Sequence, residues 1–207
     1  MDIEQQKTVY THFIQPFLSR KDLSDPSCIS SVNGSQLWLQ ANFGNFSKFA
    51  TIQELQALNP NFSSAQVLSE LAPSQVAELL LSSNVSNDTE LIDRIYDRLE
   101  VGNTLENVDE FLTQLAANEQ VPKFQPVVRD LMMNRTFVII STHFINFTTE
   151  EFHLWFNVKL VPILAGFTPE MLQIATSSIN CTNYHVIVSG LDKVFSDIPQ
   201  DRQQSLA

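Results

Sequence analysis

The stretch Leu71-Ala-Pro-Ser-Gln-Val-Ala-Glu-Leu-Leu80 decides the fold class of this chain. Pro73 stands where a helix begins, a position at which the missing proline N–H costs nothing and the fixed φ favours the helix. Val76, Leu79 and Leu80 then follow at helical spacing, which predicts one buried apolar face.

Helix starts of the same kind occur on both sides of this stretch. Thr51-Ile-Gln-Glu54 and Thr148-Thr-Glu-Glu151 are capping boxes, in which a hydroxyl and a carboxylate satisfy free backbone amides. Thr168-Pro-Glu170 combines a threonine cap with proline at the first helical position. Further caps are expected at Asp88 for a helix over 89–100 and at Asn107-Val-Asp-Glu110 for a helix over 108–118.

The whole pattern predicts an all-α protein of about ten short helices, since no segment shows sustained alternation of period two. Helices this short are not stable alone, so each must pack on its neighbours. A compact orthogonal bundle and an armadillo/HEAT-like α-solenoid or superhelical stack both satisfy this requirement, and the second is our prediction. Residues 1–207 are treated as a single helical module, one unit of a longer tandem array.

The charge balance excludes one class of partner. Hydrophobic residues make up 43% of the chain and charged residues only 17%, and 12 Lys and Arg stand against 23 Asp and Glu. The net charge of −11 leaves no basic footprint, so no nucleic-acid partner is expected.

The apolar runs of the sequence are much shorter than the roughly 18 residues that a membrane span needs, so no membrane span is expected.

The asparagines predict the compartment. The chain has 15 Asn, and 33 of its 207 residues are Ser or Thr. Chance would therefore give about 2.4 N-x-S/T sequons, but the chain has eight. We expect N-linked glycans on exposed surface and a secreted or cell-surface location; a polar surface in which the sequons have no meaning is the alternative. The predicted glycosylation sites are Asn33, Asn45, Asn61, Asn84, Asn87, Asn134, Asn146 and Asn180.

The two cysteines, Cys28 and Cys181, fit an oxidising compartment, where an even pair is a disulfide candidate. A Cys28–Cys181 bond would close a loop of about 150 residues; two free thiols are the alternative. The start of the chain has neither the basic region nor the apolar core of a signal peptide. We therefore expect the sequence to be part of a longer secreted chain.

Enzymatic chemistry is not predicted. The four histidines (His12, His143, His153 and His185) are widely separated, so neither a metal site nor a catalytic residue is assigned. No cofactor is expected beyond the glycans.

Phe follows the asparagine in three sequons, as Phe46, Phe62 and Phe147, which suggests rings packed beneath the first sugar.

The stretch 71–80 resembles segments of the mesothelin, stereocilin and otoancorin superfamily, in which such helices recur along an armadillo-like stack. Phe167-Thr-Pro-Glu-Met-Leu-Gln and Phe147-Thr-Thr-Glu-Glu-Phe are similar in style. Residues 38–80, 107–114 and 180–191 also resemble large fish extracellular proteins built from tandem units. These resemblances imply a non-enzymatic extracellular glycoprotein that serves adhesion, matrix or filament assembly.

Two functions follow as expectations. The first is a structural or adhesion module that associates with copies of itself, with adjacent repeat units or with another glycoprotein. Its terminal helices, 3–19 and 199–207, are the expected contacts because each looks able to continue a stack. The alternative is a secreted helical carrier of an apolar ligand, with a cavity lined by Phe and Leu.

Overall fold

The computed structural model describes residues 1–82, 88–118, 123–177 and 179–206. Within these ranges every regular element is helical and no strand occurs, which confirms the all-α prediction. The chain divides into two compact units, Met1–Leu79 and Leu80–Ala207, so the module predicted over 1–207 contains two cores.

The first unit begins with α1, which runs as Ile3–Val9, a π-helical turn at Tyr10–Ile14, and Gln15–Leu18. It is followed by α2 (Ser35–Asn42) and α3 (Ile52–Leu58), with 3-10 turns at Gly44–Phe49 and Ser64–Glu70. Helix α4 (Pro73–Ser82) carries the chain into the second unit.

The helices of the second unit are α5 (Thr89–Leu99), α6 (Thr104–Ala116), α7 (Pro126–Ser141), α8 (Thr149–Leu154, continued by a π-helical turn at Trp155–Lys159), α9 (Pro169–Thr176), α10 (Cys181–Lys193) and α11 (Gln200–Leu206). Its 3-10 turns are Phe144–Asn146, Leu164–Gly166 and Phe195–Asp197. None of the helices among the described residues has the length and apolar character needed to cross a bilayer.

Most of the predicted helix starts are confirmed. Thr51 and Thr148 form complete capping boxes with Glu54 and Glu151. The Asp88 carboxylate accepts from the Leu91 amide at 2.9 Å, and the Thr168 hydroxyl likewise caps α9. These starts are predictable because each cap is made within four residues of the chain.

The predicted start at Asn107 is wrong, because α6 already begins at Thr104. The side-chain Nδ2 of Asn107 instead donates to the backbone carbonyl oxygens of Leu99 and Val101, both at 2.9 Å. These hydrogen bonds connect α6 to the end of α5. Asp109 consequently lies in the second turn, where it forms an ion pair with Lys159 of α8 at 2.6 Å.

One corner recurs five times in the chain. At each occurrence a 3-10 turn ends in an extended residue, with φ between −81° and −65° and ψ between 130° and 142°, whose amide donates to the carbonyl three residues earlier. At all five, the next helix begins two residues later. The five corner residues are Ala50, Leu71, Phe147, Phe167 and Ile198; all except the half-buried Phe147 are buried.

Gln75 connects two of these corners in the first unit. Its side chain is 1% exposed. Nε2 donates to the carbonyls of Ser47 and Ala50 at 2.8 and 2.7 Å, and Oε1 accepts from the Ala72 amide at 2.9 Å. Gln75 is therefore a buried connection between the Ala50 corner and the start of α4.

Each unit has an aromatic core. In the first, the Trp38 ring packs against Phe43 and Phe62, with centroids 5.3 and 5.8 Å apart, and its Nε1 donates to the Ser27 carbonyl at 2.8 Å. In the second, five phenylalanine rings fill the centre by contacting one another at 5.5 to 6.2 Å; they are Phe137, Phe144, Phe152, Phe156 and Phe167.

Candidate functional site

The predicted glycosylation sites of the first unit lie on exposed side chains in three local settings. Asn33 precedes α2 in a loop, Asn45 lies in the 3-10 turn Gly44–Phe49, and Asn61 lies in the turn after α3. All three are solvent-exposed, which is the arrangement that N-glycosylation requires.

The described sites of the second unit are exposed as well. Asn134 lies in the middle of α7, Asn146 ends a 3-10 turn, and Asn180 is the N-cap of α10. In the Asn180 cap, the side-chain Oδ1 of Asn180 accepts a hydrogen bond from the backbone N–H of Asn183 at 2.8 Å. An N-glycan attaches to the amide nitrogen, so the cap and a glycan are compatible. Asn84 and Asn87 lie outside the described residues.

The hydroxyl residues of several sequons have structural roles of their own. The Ser35 Oγ accepts from the Ser63 amide at 2.9 Å. The fully buried Thr136 hydroxyl lies 2.6 Å from that of Tyr96, which also donates to the Met132 carbonyl. Substituting these hydroxyl residues would therefore disturb packing as well as glycosylation.

Arg135, the middle residue of the Asn134 sequon, is held in place by α5. Its guanidinium donates to Asp93 at 3.0 Å, to Asp97 at 2.9 Å and to Glu100 at 2.8 Å. It also lies 5.6 Å from the centroid of the Tyr96 ring. These contacts join α7 to α5 and leave the neighbouring Asn134 side chain facing solvent.

The aromatic rings inside the sequons do not share one role. Phe62 is a buried core residue against Trp38, so the hypothesis of a ring beneath the first sugar is wrong at Asn61. Phe147 is half-buried and stacks on Trp155 at 6.1 Å with an interplanar angle of 7°. Phe46 is also half-buried. For Phe46 and Phe147 the hypothesis stays a prediction.

Both cysteines are free thiols, so the structure does not contain the expected Cys28–Cys181 disulfide. Cys28 lies half-buried between α1 and α2 of the first unit, with a left-handed backbone (φ 52°). Cys181 is exposed at the first position of α10 in the second unit. An even cysteine count carries no information about Cα separation, which is what decides whether two thiols can be bridged.

The histidines are not brought together into a site by any described contact. His12, His153 and His185 are exposed and His143 is half-buried. Among residues 1–82, 88–118, 123–177 and 179–206, no group of three or more His, Cys, Asp or Glu is placed to hold a metal ion.

One pair of carboxylates, Glu54 and Glu78, was not predicted from the sequence. Glu54 accepts from the Thr51 amide and from the Tyr10 hydroxyl, and Glu78 accepts from the Ile52 amide at 2.8 Å. Both therefore satisfy free amides at the start of α3. Burial, together with the charge of Glu54, raises the pKa of Glu78. Nothing local could reveal the pair, because 24 residues separate its members.

Glu78→Gln is expected to stabilise the first unit at pH 7 by less than about 1 kcal/mol. The pKa of Glu78 is higher in the folded state than in the unfolded state, so its ionised form opposes folding at pH values above the folded-state pKa. This destabilisation disappears as the pH falls through the folded-state pKa to the unfolded-state pKa. The amide keeps an acceptor for Ile52 without the charge. Urea unfolding at pH 7 and at pH 4.5 measures the difference, which should shrink at the lower pH. Equal destabilisation at both values would contradict the prediction.

No family model, curated protein or solved structure matches this chain. The resemblances drawn from short segments of the sequence therefore stay expectations.

Proposed function

We propose that this chain is a non-enzymatic module of an extracellular glycoprotein, with N-linked glycans on its sequon asparagines. One observation carries the proposal. All six described sequon asparagines are exposed. Of the seven asparagines outside sequons, three are buried and two half-buried; the buried ones are Asn59, Asn157 and Asn183.

This contrast goes beyond the general tendency of asparagine to be exposed. The sequon sites occur in a loop, in turns, at a cap and within a helix, yet share exposure. Asn157 is buried, and its side-chain Nδ2 donates to the Val186 carbonyl at 3.0 Å. An asparagine in such a position cannot hold a glycan without loss of packing. A secreted chain whose sequons are used must keep those positions on the surface.

The proposed role is structural: the module associates with copies of itself, with adjacent repeat units or with another glycoprotein, in a filament, matrix or adhesive contact. The five similar corners support it, because each delivers the next helix with the same backbone geometry. Repeated corners suit the armadillo- or HEAT-like stack that we propose for the helices, an architecture that adds units in line.

The experiment is mass spectrometry of the protein isolated from its natural source. Release with peptide-N-glycosidase in ¹⁸O-water should label several of the eight sequon asparagines, while the seven other asparagines remain unlabelled and serve as the internal control. Unmodified asparagines at all eight sites would overturn the extracellular assignment.

Site assignment should use Asn→Gln variants rather than substitutions of the hydroxyl residue. Asn134→Gln removes a sequon and leaves the buried Thr136–Tyr96 hydrogen bond intact. Thr136→Ala removes the same sequon but leaves the buried Tyr96 hydroxyl with fewer partners, which destabilises the fold by about 1 kcal/mol.

A further inference from the structure

Asn33 differs from the other asparagines of the chain in the residue that follows it. Of the 15 asparagines, it alone precedes a glycine, Gly34. It is exposed and lies outside regular secondary structure, between α1 and α2. Because glycine has no Cβ, its backbone approaches neighbouring groups more closely than that of other residues. The side-chain amide carbon of Asn33 therefore has an accessible nitrogen next to it in the chain.

The structure leaves the Gly34 amide free to react. Among the described residues no backbone carbonyl accepts a hydrogen bond from its N–H, and a Cβ built on Gly34 would meet no atom within 4 Å. In the sequons of Asn45, Asn61 and Asn146 the following N–H already donates to a carbonyl, at 3.0, 2.9 and 3.2 Å. The amide that follows Asn134 lies inside α7, where backbone N–H groups are hydrogen-bonded within the helix.

We propose that Asn33, when it carries no glycan, converts to aspartate and isoaspartate through a cyclic succinimide. The Gly34 nitrogen loses its proton to solvent and attacks Cγ of Asn33, and ammonia leaves as the Cγ–Nδ2 bond breaks. Water then opens the ring. Breaking the new Cγ–N bond gives aspartate, whereas breaking the original peptide bond leaves the chain running through the side chain as isoaspartate. One water is consumed and one ammonia is released.

A glycan on Asn33 prevents this reaction, and this part of the inference rests on the proposed function. An N-linked sugar occupies Nδ2, the nitrogen that must leave as ammonia. The reaction would then have to expel a whole glycosylamine, and the sugar also covers Cγ against attack. The glycan of this sequon therefore preserves the asparagine to which it is attached.

Isoaspartate at position 33 disturbs the start of α2. It adds one methylene group to the main chain immediately before Gly34, whose carbonyl accepts from the Trp38 amide at 3.1 Å. The loop is also held at its other end, because Nε1 of Trp38 donates to the Ser27 carbonyl at 2.8 Å. Aspartate keeps the length of the main chain and places a carboxylate near the N-terminus of α2, where the helix dipole favours negative charge.

The test compares protein made in bacteria, which carries no N-glycan, with the glycosylated protein from its natural source. Both are incubated at neutral pH, and peptide mass spectrometry follows the gain of about 1 Da at each asparagine. In the bacterial protein Asn33 should convert about tenfold faster or more than Asn61, which is also exposed but precedes the hydrogen-bonded amide of Phe62. Electron-transfer fragmentation should find both aspartate and isoaspartate at Asn33. In the glycoprotein Asn33 should stay unchanged.

Asn33→Asp isolates the effect of the longer main chain. This variant has the charge of the aspartate product and an unchanged backbone, so it should unfold at the same urea concentration as fresh protein. Incubated bacterial protein should unfold at a lower concentration, in proportion to its isoaspartate content, as monitored at Trp38 in a Trp155→Phe background. Equal midpoints for the incubated protein and Asn33→Asp would overturn the effect on α2.

The other outcomes separate this inference from the proposed function. An Asn33 that survives incubation in the bacterial protein as long as Asn61 does would overturn the conversion. Equally fast conversion on chains shown to carry the glycan would overturn the protection. A natural protein without a glycan on Asn33 would count against the proposed function at this site, but it should then contain isoaspartate there. Bacterial protein treated with the glycosidase controls for ¹⁸O that enters Asn33 through the succinimide.

Discussion

Gln75→Leu is expected to lower the free energy of unfolding of the first unit by about 3 kcal/mol. Leucine has a similar volume but neither a donor nor an acceptor. The substitution removes the hydrogen bonds that Gln75 makes to the Ala50 carbonyl and to the Ala72 amide in a site that is 1% exposed. The loss of buried partners costs more than the gain in apolar burial returns.

The measurement can be confined to the first unit, because each unit contains one of the two tryptophans. Trp38 and Trp155 are both buried and should report unfolding by fluorescence. In a Trp155→Phe background, urea unfolding monitored at Trp38 compares Gln75→Leu with Gln66→Leu, a control at an exposed glutamine of the preceding 3-10 turn. The control should change stability by less than about 0.5 kcal/mol.

Gln75→Glu tests the same connection by a different route. The carboxylate can still accept from Ala72, but when ionised it faces the Ser47 and Ala50 carbonyls without a donor. This variant should regain stability as pH falls, since protonation restores one donor. Wild-type stability in both the Leu and the Glu variants would show that the corner does not depend on Gln75.

Gly190→Ala is expected to destabilise the second unit by about 3 kcal/mol. In an ordinary helix the same substitution stabilises by up to about 1 kcal/mol, so the sign itself is the test. A Cβ placed on Gly190 would overlap the carbonyl oxygen of Phe156 and lie 3.0 Å from its carbonyl carbon. Because the overlapping atoms are backbone, α10 and α8 must separate to admit the methyl group.

Unfolding monitored at Trp155 in a Trp38→Phe background checks the result. Gly190→Val should cost more than Gly190→Ala, because the larger side chain forces a wider separation. Val188→Ala, at an exposed position of the same helix, should stay within about 0.5 kcal/mol of the parent. Stabilisation by Gly190→Ala would mean that α10 and α8 do not approach as closely as described.

The glycine and the glutamine also define what holds the proposed module together. Gly190 lets α10 pack directly on the backbone of α8, and Gln75 fixes a corner to the next helix. Each of the two residues is buried within a single unit, Gln75 in the first and Gly190 in the second. The six described sequon asparagines are exposed, so glycans on them need not enter either core.

Much of the local structure could be predicted from the sequence. The caps at Thr51, Asp88, Thr148 and Thr168 depend on chemistry within four residues, so the sequence alone placed those helix starts. The exposure of the six described sequon asparagines was likewise expected from the sequon pattern. The start of α6 was misplaced because Asn107 bonds backward to α5, a contact that the cap pattern does not record.

The contacts between residues far apart in the chain could not be predicted from local pattern. The sequence permits Phe17 on the buried face of α1, and the π-helical turn places Leu18 there instead, because burial against the rest of the unit selects one face. The Glu54–Glu78 pair, the Gln75 connection and the close approach at Gly190 all join segments at least 20 residues apart. Local pattern and composition account for the helices, the sequons and the acidic charge. Packing within each unit selects the face of each helix that is buried, because burial depends on contacts between residues far apart in the chain.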